Sequence, residues 1–351
     1  VSALWGSPSA PLRLGEEGVR PLSAGEGSLG VVRLGAALSL GGLFSDFPRV
    51  PDFPRVSDFP RVPDFPTAVA GLPVRRSPRL RVAASAGQRA YGREVTQERT
   101  ETGLMVGAAP WSYQGGDLGV LVLHGFTGTP QSMRGLAEAL AAGGFTVELP
   151  RLRGHGTRVE DMLGLGFPDW VADAEEAAAD LLTRCRRVGV VGLSMGGTLA
   201  LWLAARHAEI AAVVVINPLV EPAADAFRTA MSDALAEGVT LAPAIGSDIA
   251  RPGAVEVAYD ATPIAPLLSL MDGARELLDL LPALSAPVLL FSSRTDHVVD
   301  PASGDRLVEL AGGPVERVFL ERSYHVATLD EDRELIEEGT VAFLRRVLAA
   351  S

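Results

Sequence analysis

From Leu118 onward, apolar positions fall into two alternating patterns. Short continuous runs recur at Gly119-Val120-Leu121-Val122-Leu123, Phe145-Thr146-Val147-Glu148-Leu149, Val188-Gly189-Val190-Val191, Ala211 to Ile216, Pro287-Val288-Leu289-Leu290-Phe291 and Val315 to Leu320. Unbroken apolar runs of this length predict strands covered on both faces. Helical spacing fills the intervals. Met133, Leu136, Ala137 and Leu140 share one face of a segment starting at Gln131, with Gly143-Gly144 as its stop. Further helices are predicted from Asp169 to about Thr183, from Gly197 to Ala205, from Ser303 to Leu310 and from Asp332 to Leu348. The last places Asp332 and Glu334 in its first turn and Arg345-Arg346 in its last, matching the helix dipole. Its buried stripe is expected from Leu335, Ile336, Phe343 and Val347. Strand–helix alternation of this kind predicts an α/β fold with a mostly parallel central sheet flanked by helices.

Two stretches break the pattern. Residues 218–286 lose the alternation, and prolines at 218, 222, 243, 252, 263 and 266 punctuate short helical pieces. This reads as a small helical cap inserted over the sheet edge. Residues 1–104 show no hydrophobic periodicity and are rich in Pro and Gly. Ser45-Asp46-Phe47-Pro48-Arg49-Val50 returns as 51–56, as 57–62 and in part as 63–66. Proline at that density forbids helices and central strands and leaves extended, polyproline-like chain. The first methionine is Met105, where orderly sequence begins. Residues 1–104 are therefore expected to be a disordered or non-native extension, with a partner-docking polyproline segment as the rival reading. The catalytic domain is expected to span 105–351.

Composition narrows the class. Hydrophobic residues make up 47% of the 351 positions, ample for a core, and all 31 basic residues are arginine. A net charge of −12 argues against a nucleic-acid partner held through its phosphates. No apolar run approaches the ~20 residues that span a bilayer, and the mildly apolar run Gly30 to Phe44, interrupted by Arg33, is weak as a signal-peptide core because it starts late and no convincing small-residue cleavage site follows. A cytoplasmic protein without stable membrane insertion is expected. Cys185 is the single cysteine, which leaves no intrachain disulfide and no thiolate metal site. It reads as a buried or half-buried structural thiol.

The chemistry centres on Gly192-Leu193-Ser194-Met195-Gly196, which lies between a predicted strand and a predicted helix. In that context G-x-S-x-G reads as a nucleophile elbow, a turn too tight for side chains at its glycines. A serine hydroxyl needs a base, and the base needs an orienting carboxylate. These should come from loops after later strands, acid before histidine. Asp296 follows the strand ending at Phe291, with Asp300 as a more distant alternative. His325 follows the strand ending at Leu320. His297 adjoins the candidate acid and sits on the wrong loop for the base, while His207 reads as a surface or helix-capping residue. The backbone N–H of Met195, at a helix N-terminus, and of Phe126, in the loop after the first apolar strand, would form an oxyanion hole. His124 is expected to be structural beneath that loop, and Gly154-His155-Gly156 a loop-shaping turn.

Together these motifs resemble the α/β-hydrolases, most closely the small bacterial carboxylesterases and monoacylglycerol lipases. The resemblance is carried by His124-Gly125-Phe126-Thr127-Gly128, Gly154-His155-Gly156, Gly192-Leu193-Ser194-Met195-Gly196-Gly197, Asp296, and Tyr324-His325-Val326-Ala327-Thr328-Leu329-Asp330. It covers about residues 115–350, with Ser323-Tyr324 where the family often has Ser-Gly. It implies an α/β-hydrolase fold and hydrolysis of carboxylic esters of short or medium acyl chain, or of monoglycerides, without cofactor or metal. The H-G-F loop implies a narrower acyl site than in esterases with a G-G-G-x loop. Thioester or C–C bond hydrolysis and perhydrolysis use the same triad and stay open, as does a non-catalytic binding role for the fold. Phe227, Met231, Leu267 and Met271 fit plain core and acyl-pocket lining equally well.

Overall fold

A computed structural model describes residues 99–220 and 224–350. Most of the expected extension, 1–98, lies outside the described residues, as do 221–223 of the expected cap. Met105 is buried in the core, and its N–H donates to the Gly156 carbonyl at 2.9 Å.

A seven-stranded sheet runs in the order β1-β3-β2-β4-β5-β8-β9: Trp111–Tyr113 (β1), Thr146–Leu149 (β3), Leu118–Leu123 (β2), Arg187–Leu193 (β4), Ile210–Ile216 (β5), Val288–Ser293 (β8) and Val315–Leu320 (β9). Within this sheet, only β1 is antiparallel to its neighbour. Strand alternation divides the core in two. Leu121, Leu123, Val188, Val190, Val213 and Val215 point to one face. Val120, Val122, Val191, Leu193, Val214 and Ile216 point to the other. The first face carries Phe167–Arg184 (α2) and Met195–Arg206 (α3); the second carries Arg134–Ala142 (α1) and Arg333–Ala349 (α7). Both faces are covered by helices, which is why the central strands read as unbroken apolar runs. The fold is the expected α/β-hydrolase.

Helix α7 corrects one expectation. Leu335 is 45% exposed. The buried positions are Ile336, Thr340, Phe343, Leu344 and Leu348, spaced by three and four as one helical face demands. Leu335 stands about 100° round the helix from Ile336, and polar Thr340 occupies the buried stripe, so hydrophobicity alone rightly included Ile336 but added Leu335 and passed over Thr340. Cys185 is buried at the end of α2, as expected.

Between β5 and β8 lie Asp225–Ala236 (α4), a short antiparallel pair of Leu241–Pro243 (β6) and Ala261–Pro263 (β7), and Ile264–Leu280 (α5). The long connection from Pro243 to Ala261 has no regular element. After β8 the chain forms Ala302–Leu310 (α6) and returns through β9 to α7.

Candidate active site

The elbow is where strand β4 meets helix α3. Ser194 has φ 53° and ψ −119°, a strained backbone for a residue with a side chain. The flanking glycines make it possible. A Cβ on Gly192 would overlap the Gly196 carbonyl, and a Cβ on Gly196 would overlap the Leu123 carbonyl at the end of β2. That close approach brings the β2 loop beside the serine: a Cβ on Gly125 would lie 3.5 Å from Ser194 Cβ. Phe126 is in the same loop. Met195 opens α3, so its N–H is one of those a helix leaves without an intrahelical partner.

Asp296 and His325 come from the loops after β8 and β9, both at the C-terminal ends of parallel strands. His325 Nδ1 and Asp296 Oδ2 are 2.8 Å apart, and their side chains are 8% and 2% exposed. The other oxygen of Asp296 accepts from the Val298 and Val299 N–H groups, each at 2.9 Å, which fixes the carboxylate's orientation. Burial disfavours a charged imidazole. The Asp296 carboxylate opposes it, by charge and by hydrogen bond, and with Glu256 and Asp248 holds the His325 pKa above its ordinary value. Asp300 does not join the site; it caps the turn before α6 by accepting from the Ala302 N–H at 2.9 Å. His297 also points elsewhere, to Asp248 at 2.8 Å.

The remaining histidines take the structural places expected of them. His124 is fully buried, with Nδ1 2.9 Å from the Gly125 carbonyl and Nε2 accepting from the Leu152 N–H at 3.2 Å. Those two partners require the neutral tautomer with the proton on Nδ1. Burial lowers its pKa to about 4. His155 is buried against it, ring centroids 4.9 Å apart, and desolvation followed by its neighbour His124 depresses its pKa well below normal. His207 caps α3 and lies 3.1 Å from Glu175.

Three polar residues at the site carried no motif that singled them out. Asn217, at the end of β5 with φ 45°, donates to the His325 carbonyl at 2.8 Å and to Ser293 Oγ at 2.9 Å, and accepts from the Ser293 N–H at 2.7 Å. It pins the histidine loop to strand β8. Glu256, half-buried in the connection between β6 and β7, reaches Ser132 and lies near enough to His325 for their charges to interact. Burial pushes its carboxyl up to about 7, despite the pull of the His325 charge. Asp248 comes from the same connection. None of the three belongs to a local pattern; each acquires its partners only through the fold. Among the pocket candidates, Met271 is buried core while Phe227 is exposed.

No group of three or more metal-ligating side chains occurs among the described residues, and no described helix is long and apolar enough to cross a membrane. The chain is 44% identical to the thermostable monoacylglycerol lipase of Bacillus sp. (strain H-257) over 245 residues, 69% of this chain and 96% of that protein. It is 24% identical to a carboxylesterase of Bacillus subtilis (strain 168) over 245 residues, 68% of this chain and 96% of that one. A solved structure from work on the metagenome-derived lipolytic enzymes LipS and LipT superposes with a TM-score of 0.66 at 42% identity, covering 69% of this chain and 99% of that one. Residues 117–332 match the serine aminopeptidase S33 family. With most of its length in that match, the chain belongs to this family of α/β-hydrolases, as a hydrolase similar to monoacylglycerol lipases and carboxylesterases.

Proposed function

We propose that the protein cleaves carboxylic esters of short or medium acyl chain, monoglycerides among them, through a Ser194–His325–Asp296 relay and an acyl-enzyme. Ser194 attacks the ester carbonyl as His325 takes its proton. Asp296 holds the imidazole with Nδ1 protonated, leaving Nε2 to act as base, and stabilises the imidazolium that forms. The Phe126 and Met195 N–H groups receive the oxyanion. His325 then passes its proton to the departing alcohol and draws one from water, which releases the acid.

One observation carries the reading: the 2.8 Å His325–Asp296 pair sits on two strand-end loops of the sheet whose elbow presents Ser194 at φ 53°. The 44% identity to a monoacylglycerol lipase supports a monoglyceride substrate. Glu256 supports it chemically, because a carboxyl near His325 can hydrogen-bond the free hydroxyls of a departing glycerol group. The test is turnover of p-nitrophenyl butyrate and of a chain-length series of monoglycerides by the wild type and Ser194→Ala. Loss of all ester turnover in the variant is expected; turnover near the wild-type rate would refute the assignment.

A further inference from the structure

The irregular connection between β6 and β7 reaches across to the two loops that carry the acid and the base. Asp248 Oδ2 accepts from two backbone N–H groups, that of His297 at 3.1 Å and that of His325 at 3.0 Å. One belongs to the residue next to Asp296 and the other to the base itself. Asp248 Oδ1 is taken by His297 Nδ1 at 2.8 Å, and the Asp248 backbone carbonyl accepts from the Val326 N–H at 3.0 Å. The attachment is reciprocal. Asp330, fully buried in the histidine loop, accepts from the Ala250 and Arg251 N–H groups at 2.8 Å each, and from the Tyr324 N–H at 2.8 Å.

A surface carboxylate needs none of this. Asp248 is 14% exposed on its side chain, and every bond it makes is to the acid or base loop. A charged acceptor bonded to two N–H groups is stronger and more directional than a neutral one. His297 holds that carboxylate in its rotamer, with its ring edge-on to Tyr324, centroids 4.6 Å apart. A second histidine–aspartate pair therefore stands behind the first, oriented to hold backbone rather than to move protons.

We propose that Asp248 is a positioning residue for the base: a single carboxylate from the cap connection sets the distance between the Asp296 loop and the His325 loop. The inference rests on the Ser194–His325–Asp296 reading and adds that the connection between β6 and β7 is part of the catalytic unit rather than only a substrate cover. Misplacing a catalytic group by about 1 Å can cost on the order of 100-fold in rate, which is the scale on which the clamp acts. The charges of Asp296, Glu256 and Asp248 all act on His325 and raise its pKa. Removing the Asp248 charge therefore lowers that pKa as well as loosening the loop.

The experiment is steady-state kinetics of Asp248→Asn on a soluble short ester, p-nitrophenyl butyrate, across pH, with Ser194→Ala as control. The expected result is a kcat lowered by about 10- to 100-fold, a KM within about threefold of wild type, and an acid limb of kcat/KM displaced to lower pH. A kcat at the wild-type level overturns the proposal, and so does a lowered kcat with the acid limb unmoved, which marks a merely structural residue. Should Asp248→Asn fail to fold, His297 decides. His297→Leu leaves Asp248 Oδ1 without its side-chain donor and should lower kcat several-fold. His297→Asn places an amide N–H near the lost Nδ1 and should restore most of it; equal kcat in the two variants overturns the proposal. Turnover surviving in Ser194→Ala would instead defeat the parent assignment, so the two failures are separable.

Discussion

His325 and Asp296 share a hydrogen bond of 2.8 Å in a place almost sealed from water. Low local dielectric makes such a charge-assisted bond strong and makes its loss costly. Asp296→Asn should preserve the shape of the loop but offers an amide N–H where the imidazole needs an acceptor, favouring the wrong tautomer. A fall in kcat of about 1,000- to 10,000-fold is expected, measured with p-nitrophenyl butyrate. A fall below tenfold would move the orienting role to another carboxylate.

The pH dependence has a defined direction. As the proposed base, His325 must be neutral to accept the serine proton, and its pKa is held above the ordinary imidazole value. The rate kcat/KM should therefore climb with pH through an inflection above about 6.5. Glu256, its own carboxyl pushed up to about 7, is partly ionised across that range, and Glu256→Gln removes the charge it carries there, so the variant's inflection should lie at lower pH than the wild type's. If Glu256 also serves the glycerol group, the same variant should lose more kcat/KM on monoglycerides than on p-nitrophenyl butyrate. An equal effect on both substrates would remove that role.

The elbow glycines should be intolerant. Gly196→Ala drives a Cβ against the Leu123 and His124 carbonyls, which are backbone and cannot swing away. The destabilisation should exceed about 3 kcal/mol. Gly164→Ala is the control, because nothing lies within 4 Å of its Cβ position. It should stay within about 0.5 kcal/mol, both read from urea unfolding midpoints.

Acid should weaken the fold through its buried histidines. His124 stays neutral in the folded protein down to about 4, whereas in the unfolded chain it titrates near the ordinary imidazole value of 6.5. A group with a depressed folded pKa contributes stability that is complete above the unfolded pKa and lost as pH falls through the interval below it. The loss should reach on the order of 3 kcal/mol near pH 4 from His124 alone, with His155 adding in the same direction. Urea midpoints between pH 7 and 4 test this. His124→Gln should be less stable at pH 7 and show a flatter decline; an unchanged slope would assign the acid lability to other groups.

Helix α7 offers a clean comparison of adjacent residues. Ile336→Ala should cost about 2–4 kcal/mol by leaving a cavity against the sheet. Leu335→Gln should cost less than about 0.5 kcal/mol, because its side chain is half in solvent.

What could be read from the chain follows from how local each constraint is. Gly192 and Gly196 are dictated by carbonyls that approach within the turn itself and at the adjoining strand end, so the elbow announces itself in five residues. The central strands announce themselves because both faces are covered. Asp296 and His325 are expected together from their order after β8 and β9, and the structure places them in contact. The short strands β1, β6 and β7 carry too few residues for a period to emerge. Asp248, Glu256 and Asn217 were silent for a different reason. Their partners are backbone groups and side chains dozens of residues away, and a single Asp in a proline-broken segment resembles any solvated loop residue. Leu335 shows the converse error, where an apolar letter sat one position off the buried face.

The proposed acyl transfer requires Ser194 Oγ to be the atom that takes the acyl group. Its most direct measurement is covalent trapping with a long-chain alkyl fluorophosphonate, followed by intact mass and peptide mapping. The account predicts one adduct per chain, on the peptide containing Ser194, formed at the rate at which ester turnover is lost and absent in Ser194→Ala. An adduct on any other residue, or full ester turnover by a chain whose Ser194 is quantitatively modified, would contradict it.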